Sequence, residues 1–154
     1  MSIELTVNGR AVSVSVADDM PLLDVLRNHL DLKGSRYGCG LEQCGSCVVV
    51  IDGKADYSCV CPVSSIAGKN VETVESLTSH PLRQAFLDEQ AGQCGYCLSG
   101  IMMSAKALLD HNANPSRAEI VAALDTHLCR CGAHPRILRA VENAAAVLRN
   151  GARP

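Results

Sequence analysis

Residues 39–47, Cys-Gly-Leu-Glu-Gln-Cys-Gly-Ser-Cys, place three cysteines within one short stretch of the chain. With the next cysteine they form the spacing C-x4-C-x2-C-x11-C. Thiolate sulfur is a soft ligand that binds iron–sulfur clusters, zinc or copper(I), and this spacing is that of plant-type [2Fe–2S] proteins. Four-cysteine zinc sites usually join two C-x2-C pairs. The spacing therefore favours a [2Fe–2S] cluster over zinc, with the ligands Cys39, Cys44, Cys47 and Cys59.

Four glycines punctuate this stretch: Gly34, Gly38, Gly40 and Gly45. A loop that wraps a cluster has to turn backbone N–H groups toward the sulfur atoms, which often requires a positive φ or a close approach of the backbone. Glycine permits both without steric cost. Such hydrogen bonds, together with solvent exposure and net charge, tune the reduction potential of a cluster.

A second group of four cysteines lies later in the chain and has a different spacing, C-x2-C-x31-C-x-C. Its members are Cys94, Cys97, Cys129 and Cys131. The first pair precedes a predicted helix, whose N-terminal N–H groups and positive dipole end favour an anionic thiolate–metal assembly. Taken alone, the spacing fits an iron–sulfur cluster, a zinc site or a redox disulfide.

The ninth cysteine, Cys61, lies close to Cys59 in the sequence. It could be an alternative ligand or a redox-active thiol, but free cysteines usually pack as small hydrophobic residues, and we favour that interpretation. His134 has no neighbouring metal-ligand residue and is predicted to be a surface or capping side chain. Met102 and Met103 are predicted to fill a helical core.

The composition restricts the classes of function. The chain has 154 residues, of which 47% are hydrophobic and 19% charged, as in ordinary globular proteins. It has no Trp, one Phe and three Tyr, so it lacks the aromatic platform on which nucleic-acid bases stack. A net charge of −2 gives no strong attraction to polyanions. No Ser-His-Asp set, P-loop or carboxylate pair is evident, so we expect no acid–base catalysis on this chain.

The sequence also bears on location. Residues 1–7 show neither the basic segment nor the apolar run of a secretory signal, and no apolar stretch reaches the roughly 20 residues of a membrane helix. Many cysteines without a signal fit the cytoplasm, where thiols stay reduced. We therefore expect a cytoplasmic chain that does not insert into a membrane, although co-export with a signal-bearing partner is compatible with the sequence.

The first half of the chain has the pattern of a small sheet. Residues 3–7 and 11–16 alternate in β-branched residues around Asn8-Gly9, a strong signal for a β-hairpin. Further strands are predicted at residues 48–51, before an Asp-Gly turn, and at residues 70–74.

A helix is predicted between these strands, over residues 21–30, with one apolar side. Asp18 or Asp19 is predicted to cap it, and Pro21 suits its first turn. A hairpin, a helix and returning strands together predict a β-grasp, ferredoxin-like domain.

After residue 74 the pattern becomes helical. Helices are predicted at residues 81–90, 98–111, 116–126 and 135–149. Pro81, Ser116 and Pro135 mark helix starts, and the short connections indicate a small bundle. The sequence thus predicts an α+β protein with a ferredoxin-like domain at 1–74, a linker at 75–80 and a helical domain at 81–154.

Several segments resemble those of one known family. They are residues 37–47 (YGCGLEQCGSC), 58–59 (SC), 93–103 (QCGYCLSGIMM) and 128–132 (LCRCG). The resemblance runs in order along essentially the whole chain, and the segment that begins at Gln93 is highly specific. The sequence resembles the small iron–sulfur subunit of the xanthine oxidase family of molybdenum hydroxylases.

The resemblance implies a plant-type ferredoxin domain and a four-helix bundle, each with one [2Fe–2S] cluster. It also implies a large partner subunit that binds a molybdopterin cofactor of the cytosine dinucleotide type beside the second cluster. By motif match, Gln93 would hydrogen-bond the pterin, and Cys131 would be the cluster ligand nearest to it. Electrons from substrate oxidation, with water supplying the oxygen, would pass through the second cluster and then the first to an external acceptor.

Two departures from the commoner family pattern point to a branch. Gln43 replaces a glycine, and residues 132–136 (GAHPR) replace a Thr-Gly-Tyr-type ending. Both resemble the branch with isoquinoline 1-oxidoreductase, nicotinate dehydrogenase and some aldehyde dehydrogenases, which implies an N-heteroaromatic compound or an aldehyde as substrate. Several members of this branch lack a flavin subunit and pass electrons to cytochromes c, so FAD is a doubtful cofactor of the complex. The electron acceptor that the resemblance implies is a cytochrome c or, alternatively, a flavin subunit.

Two other functions fit parts of the pattern. A free-standing soluble ferredoxin with two clusters would shuttle electrons among partners, but it does not explain a whole helical domain with Gln93 beside its ligands. A zinc-stabilised interaction module would be colourless and redox-silent. Association with a large molybdenum-binding chain would favour the subunit hypothesis over the free-standing ferredoxin. A coloured protein would exclude the zinc-stabilised module.

Overall fold

The computed structural model describes residues 2–151, which form five strands and five α-helices. The strands are β1 (Ser2–Val7), β2 (Arg10–Ser15), β3 (Val48–Ile51), β4 (Lys54–Tyr57) and β5 (Asn70–Glu72). The helices are α1 (Leu22–Asp24), which continues as a π-helical segment over Val25–His29, α2 (Pro81–Asp88), α3 (Leu98–His111), α4 (Arg117–Leu124) and α5 (His134–Arg149). Short 3-10 segments cover Val63–Ile66 and Val74–Thr78.

The strands form one mixed sheet in the order β2-β1-β5-β3-β4. β1 and β5 are parallel, and the other neighbours are antiparallel. Asn8 and Gly9 join β1 to β2 with φ values of 50° and 77°, the left-handed conformation that a tight hairpin turn of this kind requires. The predicted hairpin and the ferredoxin-like sheet are confirmed.

Strand β3 supplies side chains to two separate cores. Val49 and Ile51 pack with α1 in the core of the ferredoxin-like half. Val48 and Val50 pack into the core of the helical half. Because both faces of β3 are covered, its sequence is a continuous apolar run and does not alternate with polar residues.

The start of α1 differs from the prediction. Pro21 occupies the N-cap position, and no side chain caps the helix, so the expected cap by Asp18 or Asp19 is wrong. The N–H groups of Leu22 and Leu23 instead donate to backbone carbonyls of the loop after β4, at 2.8 and 2.9 Å. These long-range bonds satisfy the exposed donors of the first turn, which removes the need for a capping carboxylate.

The helical half agrees closely with the prediction. α3 has the predicted bounds, and the other helices differ at their ends by a few residues. Ser116 caps α4 in a capping box with Glu119, and Pro81 lies in the first turn of α2. Met102 and Met103 are buried in the core that these helices share, as predicted.

The segment between the two halves is held in place on both sides. Leu77 is buried in the helical core. Glu75 accepts a hydrogen bond of 2.7 Å from the Gly34 amide, and Lys106 of α3 pairs with Glu72 of β5 at 3.0 Å. The division into 1–74, 75–80 and 81–154 stays a prediction. Among residues 2–151, no helix combines the length and apolar character needed to cross a membrane.

Candidate metal centres and the contact between them

The first cysteine loop, residues 37–47, points backbone amides at its own sulfur atoms. The N–H groups of Leu41 and Gln43 donate to Cys39 Sγ at 3.3 and 3.2 Å, and the Cys39 N–H donates to Cys44 Sγ at 3.4 Å. A φ of 68° at Gly40 turns the chain so that this is possible. Cys39 and Cys44 therefore form a pair at the partly exposed side of the loop.

The other two thiols of this set lie deeper. Cys47 directly precedes β3 and Cys59 follows β4, so the antiparallel pairing of these strands brings both to one end of the sheet. Both are buried and pack together with Leu23 of α1. The hydroxyl of Ser58 donates to the Cys47 carbonyl oxygen at 2.6 Å, which fixes the loop after β4 against the start of β3.

Cys39 of the outer pair and Cys47 of the inner pair differ in acidity. Hydrogen bonds from the Leu41 and Gln43 amides lower the pKa of the Cys39 thiol to about 7. Burial, together with the adjacent Cys59, raises the pKa of Cys47 to about 12. The outer thiol is thus readily ionised, whereas the inner one would lose its proton only on binding a metal, a step that releases protons.

The second set shows the same arrangement. The sulfur atoms of Cys94 and Cys131 lie 3.6 Å apart, while Cys97 is buried next to Cys129. Burial and the neighbouring Cys129 raise the pKa of Cys97 to about 12, whereas the Tyr96 amide and then Cys131 lower the pKa of Cys94. At Cys129, burial alone would raise the pKa, but hydrogen bonds from nearby backbone amides outweigh it and lower the pKa.

Pairs of thiols suit a dinuclear cluster. All nine cysteines are free of disulfides. A structural zinc ion needs four ligands around a single metal, whereas a [2Fe–2S] cluster spreads four cysteines over two irons. The donor sets therefore fit two [2Fe–2S] clusters better than two zinc ions.

The residues expected to face a partner cofactor lie together. Gln93 is exposed, and its Nε2 donates a weak 3.4 Å hydrogen bond to the Cys131 carbonyl oxygen. Gln93 also lines an open groove of about 510 Å³ with Leu98 and Arg136. His134 is exposed at the first turn of α5, as predicted for a surface residue.

Cys61 lies apart from this chemistry. Its sulfur atom is 3.6 Å from the Ser65 hydroxyl, and its side chain packs at the edge of the ferredoxin-like core. Cys61 is only partly buried, so it packs against the core as favoured from the sequence but is not enclosed by it.

Two hydrogen bonds join the first cysteine loop directly to residues adjacent to the second cysteine set. The Leu128 N–H donates to the Cys44 carbonyl oxygen at 3.1 Å, and Leu128 immediately precedes Cys129. The Tyr96 hydroxyl donates to the Tyr37 carbonyl oxygen at 2.5 Å. Each bond links a residue at or near a candidate ligand of one half to a residue beside a ligand of the other.

Two glycines allow this close approach. A Cβ atom on Gly100 of α3 would stand 1.9 Å from the Gly45 carbonyl oxygen, and one on Gly45 would stand 2.2 Å from Nδ1 of His127. The Ser99 hydroxyl donates across the same contact to the Ser46 carbonyl oxygen at 3.4 Å. The absence of side chains at Gly45 and Gly100 therefore sets how near the two halves can come.

His127 and Ser104 were not identified from the sequence. His127 is only 5% exposed, its Nε2 lies 2.7 Å from the Ser104 hydroxyl, and burial lowers its pKa to about 4 despite the opposing effect of the Gly45 backbone. Its Nδ1 lies next to that backbone without hydrogen-bond geometry. The one sequence signal was its place just before Leu128-Cys129.

Two family models match the chain. The first is described as a 2Fe-2S iron-sulfur cluster binding domain and matches residues 5–72. The second is described as a [2Fe-2S] binding domain and matches residues 71–142. Each model covers one of the two cysteine sets.

Characterised proteins are similar along nearly the whole chain. One subunit of the nicotinate dehydrogenase of Pseudomonas putida is 55% identical over 148 residues, which cover 94% of each chain. The alpha subunit of isoquinoline 1-oxidoreductase from Brevundimonas diminuta is 49% identical over 147 residues, 93% of this chain and 97% of that one. The crystal structure of quinoline 2-oxidoreductase from Pseudomonas putida 86 contains a chain that superposes with a TM-score of 0.92 at 34% identity, over 98% of this chain and 97% of the other.

Proposed function

Because this chain belongs to the small [2Fe–2S] subunits of the xanthine oxidase family of molybdenum hydroxylases, we propose that it relays electrons from the molybdenum centre of a large partner subunit to an external acceptor. The observation that carries the proposal is the arrangement of eight thiols in four close pairs, two in each half of the chain. A free-standing ferredoxin would not need the second half to resemble subunits of larger enzymes.

The ligand sets follow from the thiol pairs. Cys39, Cys44, Cys47 and Cys59 hold the first cluster, and Cys94, Cys97, Cys129 and Cys131 hold the second. A bound [2Fe–2S] cluster accepts and releases one electron. The chain's own contribution is to point amides at the outer sulfur atoms and to bury the inner ones, both of which set the potential.

The partner's cofactor approaches from the side of Cys131. Gln93 supports this placement, because its exposed amide makes only a 3.4 Å bond to the Cys131 carbonyl and is free to bond a pterin instead. The groove beside Gln93, of about 510 Å³, gives access to it. We propose a molybdopterin of the cytosine dinucleotide type in the partner, with Gln93 as its hydrogen-bond donor.

Electrons leave from the first cysteine loop. The hydrogen bond between Leu128 and Cys44, 3.1 Å long, offers a short covalent and hydrogen-bonded route from the second ligand set to the first. Leu41, beside Cys39, is 67% exposed and gives a docking acceptor close access to that set. The acceptor we propose is a cytochrome c or a flavin subunit, with FAD the less favoured. We propose assembly in the cytoplasm, where the thiols stay reduced.

The substrate class follows from the relatives. The similar proteins named above act, by their names, on nicotinate, isoquinoline and quinoline, which are N-heteroaromatic compounds. We propose an N-heteroaromatic substrate for the complex, with an aldehyde as the second candidate. The pocket that distinguishes them lies on the partner subunit.

The test is to measure iron, acid-labile sulfide and zinc in the purified complex, with EPR spectra after dithionite reduction. We expect about four irons per chain and two distinguishable [2Fe–2S] signals, together with a co-purifying large chain that contains molybdenum. Iron for only one cluster accompanied by zinc, or no EPR signal, would overturn the relay. Clusters without any large partner would instead identify a free-standing ferredoxin.

A further inference from the structure

His127 is buried at the contact between the two halves and is fixed from several sides. Its Nε2 lies 2.7 Å from the hydroxyl of Ser104, which is itself buried on α3. The opposite edge of the ring faces Gly45, where a Cβ atom would come within 2.2 Å of Nδ1. The ring is therefore held between α3 and the first cysteine loop.

The residue that follows His127 makes a backbone hydrogen bond to the first cysteine loop. Leu128 is 65% exposed, so its own side chain does not anchor it. Its amide nevertheless donates to the Cys44 carbonyl oxygen at 3.1 Å, and the next residue is Cys129. The residue before Leu128, His127, is buried, and its own N–H donates to the Leu124 carbonyl oxygen at 3.0 Å.

We propose that His127 is a positioning residue for electron transfer between the clusters, since its ring, bonded to Ser104 and packed against Gly45, keeps the Leu128 amide on the Cys44 carbonyl. The inference rests on the proposed function, because it presupposes that both clusters are present and relay electrons. The step moves one electron from a reduced second cluster to an oxidised first cluster, and no bond forms or breaks. His127 contacts neither cluster ligand set with its ring and acts through the backbone.

The experiment compares variants in the intact complex. His127→Ala removes the ring, and His127→Gln replaces it with an amide that can still bond Ser104. Ser104→Ala is a milder variant that removes only the hydroxyl, in case the loss of the ring prevents folding. His111→Ala is the matched control. His111 lies on α3, like Ser104, and its ring bonds across the two halves to the Gly53 carbonyl oxygen at 2.9 Å, but at the β3–β4 turn, away from Leu128.

Three quantities are measured: iron content, hydrogen exchange of the peptide that contains Leu128, and the rate at which the first cluster is reduced after the second, followed by freeze-quench EPR. In His127→Ala we expect full iron, slower reduction of the first cluster and about tenfold faster exchange at Leu128, which corresponds to about 1.4 kcal/mol. Ser104→Ala should change the reduction rate and the exchange rate in the same direction, but by less. His127→Gln should restore most of the reduction rate and of the protection from exchange. His111→Ala should change neither rate.

The outcomes separate this inference from the proposed function. If the unmodified complex lacks one cluster, the relay itself is wrong. If it contains both and His127→Ala leaves exchange and the inter-cluster rate unchanged, only the positioning role is wrong. Loss of iron in His127→Ala or Ser104→Ala would also overturn it, because the residue would then serve cluster assembly.

Discussion

The hydroxyl of Tyr96 donates a 2.5 Å hydrogen bond to the backbone carbonyl oxygen of Tyr37. Tyr96 lies inside the second C-x2-C motif, and Tyr37 lies just before Cys39 of the first. The guanidinium of Arg36 stands 5.1 Å from the centre of the Tyr96 ring, a distance at which a cation is attracted to an aromatic face. One side chain of the helical half is thus attached to the loop that surrounds the other ligand set.

We expect Tyr96→Phe to weaken this attachment without removing either cluster. The variant loses one hydrogen bond and should lower the free energy of unfolding by about 1 kcal/mol, measured by denaturant titration, with unchanged iron content. Tyr37→Phe is the control, because the acceptor at Tyr37 is its backbone oxygen. Equal losses in the two variants would show that the bond from Tyr96 is not responsible.

Cys131→Ser should damage only the second cluster. Serine oxygen is a harder ligand than thiolate and binds iron–sulfur clusters poorly, so one of the two EPR signals of the reduced protein should be lost and the iron content should fall by about half. Cys61→Ser is the control and should keep both signals. The ligand assignment is wrong if the Cys131 variant loses the signal of the first cluster instead.

Gln93→Ala should leave both EPR signals intact and slow turnover of the complex, because the proposed partner pterin would lose a hydrogen-bond donor. Molybdenum content and the turnover rate are measured beside iron content. Gln84→Ala serves as the control, since Gln84 donates to Asp88 on the exposed side of α2. Loss of iron in Gln93→Ala would show that Gln93 has a structural role toward Cys131.

Gly100→Ala should destabilise the protein although alanine is the better helix former by about 1 kcal/mol. The added methyl group would meet the Gly45 carbonyl oxygen, 1.9 Å from its ideal position, and backbone cannot move aside cheaply. We expect a net loss of about 1–3 kcal/mol in unfolding free energy. In the control Gly92→Ala the atoms nearest the new methyl group belong to the flexible side chain of Leu98, the closest at 2.7 Å, so a similar loss there would argue against the backbone clash.

His80 should make the stability of the protein depend on pH. Its Nδ1 accepts a 3.2 Å hydrogen bond from the Leu82 amide at the start of α2. Burial lowers its pKa below the ordinary value of 6.5, an effect that Lys106 reinforces and that Asp110 and Glu72 oppose. The unfolded chain therefore binds a proton first as the pH falls, so stability is full above pH 6.5 and decreases below it.

The variant that checks this effect is His80→Asn. Asparagine keeps an oxygen acceptor for the helix cap but does not titrate. The melting temperature of the variant should therefore fall less than that of the unmodified protein between about pH 7.5 and about pH 5.5. Parallel melting curves for the two proteins over this range would refute the role of His80.

The sequence predicted what local signals determine. Asn8-Gly9 specified the hairpin because its turn needs two residues that accept positive φ, and the uninterrupted pattern of residues 98–111 gave α3 its bounds. The two groups of cysteines were identified by their spacing, and the structure brings their thiols into pairs; their role as cluster ligands stays a prediction. The branch features at Gln43 and residues 132–136 agree with the relatives found.

What the sequence missed depends on contacts between distant residues. The donors of α1 are satisfied by carbonyls of Ser58 and Cys61, which no rule for a local cap anticipates. The role of Gly100 exists only because Gly45 approaches it from the other half. His127 resembles any other histidine until its burial and its bond to Ser104 are known.

Strand β3 has a consequence for how the chain can be divided. Val49 and Ile51 belong to one core and Val48 and Val50 to the other, so a single strand contributes side chains to both hydrophobic cores. A fragment expressed without the helices would expose Val48 and Val50 to water. The isolated helices would lack these two side chains in their hydrophobic core. The two halves should consequently unfold in one cooperative transition, and neither is a good candidate for production as an independent electron carrier.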